Sequence, residues 1–236
     1  MQNIQLGIEH LSLNILQQKA DLQEIYDNVN KNYYWSDDFS PHFYIAQAKA
    51  GFIAVTDIFQ EEELLLPEIQ FAYALLDFKN LHISKKVKKL IEKQNLKIEI
   101  SNDLDSIAHH VESYHKNSWL TKRYLQTLKA CQKSEHGFKV ISVYLKDGEK
   151  LISGEIGYVI GRTYTSLSGF SSKEKVYANW GTAQLVLLGV HLQENGFAFW
   201  NLGQPYMPYK LSLGAKIYDR KTFLKRWHDA TGNNHA

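Results

Sequence analysis

The sequence predicts an α+β fold, with a mainly helical N-terminal part over residues 1–100 followed by an antiparallel-sheet domain over residues 101–236. Three observations predict it. The first half carries helix entries with capping residues at Ser40-Pro41 and at Ser84. In the second half, strand-like runs flank Asp147-Gly148, a strong hairpin-turn signal. Beyond them, Ala183, Leu185, Val186, Leu187, Leu188, Val190 and Leu192 make a helix that is apolar nearly all round, which must be buried against other structure.

In order, Ser40 takes an N-cap and Pro41 the first turn of a helix that reaches Ala50 and stops at Gly51. Ser84 caps Lys85 to Gln94, where Val87, Leu90 and Ile91 have helical spacing. Leu96 to Ile100 alternates apolar and charged residues as a short extended run, and Asp103 or Asp105 caps a helix reaching about His115. Phe138 to Leu145, Lys150 to Ile160 and Thr163 to Ser168 read as three strands, joined by Asp147-Gly148 and Gly161-Arg162. Asn179 opens the apolar helix and Asn195-Gly196 ends it. Phe197 to Leu202 is a further strand and Thr222 to Asp229 a final helix. A meander, a buried helix and a following strand form an α+β layer in the order found in acetyltransferase-like (GNAT-like) folds.

Composition narrows the function classes. With 44% hydrophobic and 22% charged residues, the 236-residue chain can bury a substantial core. A net charge of +2 is too small to predict a nucleic-acid partner from the whole chain, so such a partner must meet a local patch. The one cysteine, Cys131, excludes an internal disulfide and a multi-thiolate zinc site, and fits a reducing compartment. Met1 to Gln18 has no basic segment ahead of an apolar run, and Leu64 to Phe78, interrupted by Pro67, Glu68 and Asp77, is too short to span a bilayer. A cytoplasmic protein with no membrane partner is expected.

His109, His110 and His115 come closest to a metal cluster, but a spacing of five does not set two ligands on one helix face. No Gly-Lys-Ser or Gly-Lys-Thr phosphate loop is present, and no cofactor is expected. Gly154, Gly157 and Gly161 lie in a strand and its turn, where glycine permits close approach by a ligand or another backbone. Lys85, Lys89 and Lys93 align along one helix, flanked by Lys86 and Lys88. They read either as a phosphate-contacting ridge or as a solvated helix face. Asn201 and Gln204 follow a strand end, where site residues gain a rigid support. Glu155, inside the second strand, reads as a solvent-facing residue and alternatively as an acid at the site.

Leu81-His-Ile-Ser-Lys-Lys-Val-Lys-Lys-Leu90 is similar to the Leu-His-Ile-Ser segment and basic helix of the leucyl/phenylalanyl-tRNA–protein transferase family, which the chain resembles from about Asp38 to Trp227. Asp38-Phe-Ser-Pro41 resembles its Asp-Leu-Ser-Pro entry, and Ser118-Trp-Leu-Thr121 its Thr-Trp-Ile-Thr. The spacing of Gly154, Gly157 and Gly161, followed by Ser168-Gly-Phe-Ser171, resembles a glycine-bearing strand pair ending in Glu-Ser-Met-Phe-Ser. Asn179, Gly196 and Ser212-Leu-Gly-Ala215 then follow in the family's order.

The resemblance implies an aminoacyltransferase that moves a leucyl or phenylalanyl group from aminoacyl-tRNA to the α-amine of a protein beginning with Arg or Lys, marking it for degradation. It assigns Trp119 to the tRNA 3′ end or its pocket, and Gly154, Ser168, Gly169, Phe170 and Ser171 to the substrate pocket. Lys85, Lys86, Lys88 and Lys89 would touch tRNA phosphates, while Gln204, with Asn201 beside it, would hold the reacting groups. Leu167 stands where the family has Glu before its Ser-Met-Phe-Ser, and Leu202 where it has Asp before its glutamine. Two other readings remain, an acyl-CoA-dependent acyltransferase and a tRNA-binding protein without catalysis. Against the former, Ser171-Ser-Lys-Glu-Lys175 occupies the place of a Gly-x-Gly pyrophosphate loop.

Overall fold

The computed structural model describes residues 7–115, 118–134 and 137–232. The chain begins with β1 (Glu9–His10), α1 (Leu13–Gln17), α2 (Lys19–Asp27) and β2 (Tyr34–Trp35). Then come α3 (Pro41–Lys49), β3 (Ile53–Phe59), β4 (Glu62–Glu68), β5 (Ala72–Leu76), α4 (Lys85–Gln94) and β6 (Glu99–Ser101). Next are α5 (Asp105–Tyr114), α6 (Lys122–Ser134), β7 (Phe138–Asp147), β8 (Lys150–Ile160) and β9 (Thr163–Ser171). The chain closes with α7 (Trp180–Glu194), β10 (Phe199–Asn201), α8 (Pro208–Ser212), β11 (Lys216–Asp219) and α9 (Arg220–Thr231).

The fold is α+β, and the local signals act where they stand. The Ser40 hydroxyl accepts the Phe43 N–H at 3.2 Å and the Ser84 hydroxyl that of Val87 at 3.3 Å, capping α3 and α4. Asp103 accepts the Asp105 N–H at 2.9 Å and so starts α5 from two residues upstream. The N-terminal part is less helical than its sequence suggests. The apolar run Leu64 to Phe78 enters β4 and β5, and β3 pairs with β4 through a turn at Gln60 and Glu61. Both turn residues adopt the left-handed conformation, at φ 49° and 68°, without the glycine or asparagine that usually marks it. The helix α6 is not among the expected elements, although Thr121 caps it, its hydroxyl accepting the Tyr124 N–H at 3.1 Å.

Seven strands form the main sheet in the order β11-β5-β10-β9-β8-β7-β6. All neighbours are antiparallel except β9 and β10, which run parallel and are joined through α7. The sheet takes β5 from before residue 100, while β6 straddles that residue, so one sheet joins the two expected segments. Alternate residues feed two cores. Tyr73, Leu75, Val140, Ile156 and Phe199 pack among helices such as α3, α6 and α9. Ala74, Leu76, Val143, Tyr164 and Trp200 pack with α7 and Val87 of α4. The apolar α7 is thus enclosed between sheet and α4, as its composition requires. Among the described residues, no helix is long and apolar enough to cross a membrane.

Candidate active site

The parallel pair β9 and β10 is in register only from Thr163↔Phe199 to Thr165↔Asn201. Beyond Asn201 the chain leaves the sheet while β9 continues to Ser171, so the second half of β9 lacks a partner on that side. The gap is a cleft of ≈840 Å³. Its walls are Ser166 to Ser171, the first turns of α7, Leu202 with Met207, Tyr209 and Lys210, and Tyr114, His115, Ser118 and Trp119. The volume suits a small organic group, within the ~300–1,000 Å³ of ligand pockets. A register shift between β8 and β9 leaves Leu167 without a partner, an irregularity that re-aims side chains beside the cleft.

Glu155 lies in the cleft lining at 4% exposure. Its Oε1 accepts hydrogen bonds from Ser166 Oγ at 2.7 Å and Tyr164 Oη at 2.9 Å, and its Oε2 accepts one from Gln184 Nε2 at 3.3 Å. The expectation of a solvent-facing Glu155 is therefore corrected: β8 lies between two strands, and α7 covers the face on which Glu155 sits. Burial pushes its carboxyl pKa up, opposed by the three donors. Gly157 makes this arrangement possible. A Cβ there would stand 2.3 Å from the Tyr164 hydroxyl, so only glycine leaves room for that hydroxyl beside Glu155.

Lys210, 5% exposed, also lines the cleft. Its Nζ donates to the backbone carbonyls of Leu202 at 2.5 Å and Gln204 at 2.6 Å. Burial lowers its pKa to about 8. The neighbouring Tyr209 phenol is pushed up to about 12, by burial first and by the Glu155 charge second.

The expected substrate residues come together: Trp119, Gly154, Ser168, Gly169, Phe170 and Ser171 all line the cleft. The Phe170 ring stacks on His110, with centroids 4.9 Å apart, and the His115 ring bonds Gly169 O at 3.0 Å. Gly154 faces protein, its missing Cβ leaving space occupied by Ile107 and Phe170. Gln204 and Asn201 are outside the lining. The Gln204 amide turns away, donating to Glu68 Oε2 at 2.9 Å and Tyr33 Oη at 3.3 Å. Asn201 Oδ1 accepts the Gly203 N–H at 2.9 Å and shapes the turn after β10.

Lys85, Lys86, Lys88 and Lys89 are exposed on α4, clear of the cleft walls. Lys88 borders a separate groove with Val186, Leu187 and Val190 of α7. The cleft uses Gly181 to Leu185 of the same helix. Cleft and lysine helix therefore meet consecutive stretches of α7, with Gln184 and Val190 about 9 Å apart along its axis. Lys210 is not legible in the sequence as a site residue, and Glu155 is legible only as the alternative acid, because each is an isolated charge with no motif around it. Only the central place of β8 in the meander hinted that Glu155 would be covered. Together the residues offer a space walled by apolar and polar side chains, one buried carboxylate and one buried amine, groups able to take and give protons at a bound ligand.

The sequence profile described as leucyl/phenylalanyl-tRNA protein transferase matches residues 75–228. A leucyl/phenylalanyl-tRNA–protein transferase of Shewanella loihica is 28% identical over 64% of this chain and 63% of its own length. That of Pseudomonas fluorescens is 28% identical over 61% of each. The chain thus spans about three fifths of the length of these curated relatives. Among solved structures, a GCN5-related N-acetyltransferase of Anabaena variabilis aligns over 87% of this chain and 48% of its own, at 13% identity and a TM-score of 0.43.

Proposed function

The chain belongs to the leucyl/phenylalanyl-tRNA protein transferase family, and on that premise we propose that it moves a leucyl- or phenylalanyl-like group from aminoacyl-tRNA to the N-terminal amine of a protein. The observation that carries this reading is the buried carboxylate of Glu155 in the lining of the cleft at the β9–β10 divergence. In the reaction, the acceptor nitrogen bonds to the ester carbonyl carbon and the bond from that carbon to the tRNA ribose oxygen breaks. The amine proton ends on the ribose hydroxyl. Glu155 takes the proton and passes it on, and its raised pKa brings it closer to the working pH of a general base. The apolar side chain of the donor lies against Leu167, Phe170 and Leu202.

Trp119 supplies a ring at the cleft for the tRNA 3′ end, and Ser168, Gly169 and Ser171 supply the wall. Lys85, Lys86, Lys88 and Lys89 hold phosphates on α4, the helix that packs against the stretch of α7 beyond the cleft. Gln204 and Asn201 act at one remove. They shape the loop after β10, and the Gln204 carbonyl anchors Lys210.

The test incubates the purified chain with labelled Leu-tRNA or Phe-tRNA and peptides differing in their first residue. RNase-sensitive transfer of label to peptide is expected. Tight tRNA binding without transfer to any amine would overturn the reading in favour of a binding protein. Label transfer from an acyl-CoA alone would overturn it in favour of a thioester-dependent enzyme.

A further inference from the structure

Lys210 is a buried ammonium that no carboxylate in the cleft balances, with only the Tyr209 ring, its centroid 6.0 Å from Nζ, facing the charge. Two of its three N–H groups are taken by the carbonyls of Leu202 and Gln204, and it pairs with no carboxylate among the described residues. Glu155 does not serve it, being committed to Ser166, Tyr164 and Gln184. The other carboxylate in the lining, Glu174, is held at the rim by Lys150 at 2.6 Å. Lys173 and Lys175 add exposed positive charge at the same rim. A buried charge is tolerated when partners offset its lost hydration, and a ligand's carboxylate would complete here what two carbonyls and a ring face supply only in part.

We propose that Lys210 receives a carboxylate carried by the acceptor, so that the chain transfers its aminoacyl group to N-termini beginning with Glu or Asp. The inference rests on the transferase reading and names its acceptor class. An acceptor with a cationic first side chain would enter a cleft whose lining holds three lysines, and would find no carboxylate free of other partners except the remaining lone pairs of Glu155. The donor is polyanionic, but its phosphates are attached to a polymer and suit the exposed Lys173 and Lys175. Lys210, 5% exposed beside the exposed Met207 and Tyr209 of the lining, suits a group small enough to enter. Chemistry is unchanged: the new amide forms at the α-amine, and the carboxylate serves only to hold that amine in place.

The experiment measures initial rates of leucyl and phenylalanyl transfer from tRNA to peptides identical except for a first residue of Glu, Asp, Gln or Arg. Glu- and Asp-leading peptides are expected to exceed the Arg-leading one at least about tenfold. Lys210→Met should bring that ratio toward one and Lys210→Arg should preserve the preference, whereas damage to the loop alone would lower all rates together. Equal or faster transfer to the Arg-leading peptide in the unmodified chain overturns the acceptor assignment and leaves the transferase reading standing. An unchanged ratio in Lys210→Met overturns the role of Lys210. Failure to transfer to any of the four peptides overturns the transferase reading itself, and this inference with it.

Discussion

Ser166 Oγ donates to Glu155 Oε1 at 2.7 Å, and the same oxygen accepts the Trp200 indole N–H at 2.8 Å. The cleft carboxylate is thereby tied to β10, the strand at whose end the cleft opens, through one hydroxyl on β9. Gln184 fixes the other carboxylate oxygen from α7. Three elements thus hold Glu155, and its orientation is set before substrate arrives.

Glu155→Gln should keep the cleft's shape while removing its proton acceptor. Transfer from aminoacyl-tRNA should fall by about 10²–10⁴-fold, the usual worth of a general base, with tRNA affinity retained. Single-turnover rates beside equilibrium tRNA binding check this. A variant that transfers at the original rate rules out Glu155 as the base.

The same carboxyl predicts a pH dependence of stability. Burial raises its folded pKa above the unfolded value, so folding favours the protonated form. That contribution is complete below the unfolded pKa of about 4.3 and is lost as pH rises through the folded pKa. Thermal melts at steps from pH 4 to pH 8 should show the original chain losing stability relative to Glu155→Gln as pH increases. The opposite slope would mean that the three donors outweigh desolvation.

Gly157→Ala should be costly for a stated reason. The added carbon would stand 2.3 Å from the Tyr164 hydroxyl and 2.5 Å from Thr165 O, so either the ring or the strand must move. A loss of about 1–3 kcal/mol is expected by denaturant unfolding, with transfer activity reduced because Tyr164 no longer reaches Glu155.

Replacing Lys85, Lys86, Lys88 and Lys89 together by Glu tests the α4 ridge. These side chains are exposed, so the melting temperature should change little. Affinity for tRNA should drop, and the slope of log K against log salt should flatten by about 0.7–0.9 for each phosphate that is no longer neutralised. An unchanged slope would move the nucleic-acid surface elsewhere.

Arg220 predicts stability rather than activity. It is 5% exposed and donates to the carbonyls of Gln70, Ile25, Asn28, Lys31 and Ile69, joining α9 to the N-terminal segment. Arg220→Met leaves those acceptors short of a donor and should destabilise the fold by about 3 kcal/mol or more. Chemical denaturation measures it directly.

Elements whose signals are local could be read directly from the chain. Ser84 and the spacing of Val87, Leu90 and Ile91 bounded α4, and Asp147-Gly148 set the β7–β8 turn. The all-round apolar character of α7 required its enclosure. The grouping of Trp119 with Ser168 to Ser171 was also legible, because a family's ordered motifs carry spatial information that no single motif holds. The rest was settled by packing. A strand residue's exposure depends on which neighbours cover its face, and so Glu155, plain in sequence, became the buried acid of the cleft. A side chain's direction after a strand end depends on turn geometry, and so Gln204 turned toward Glu68 while Lys210 came to the cleft. Local propensity sets the backbone, but burial and charge pairing are properties of surfaces that meet only after folding.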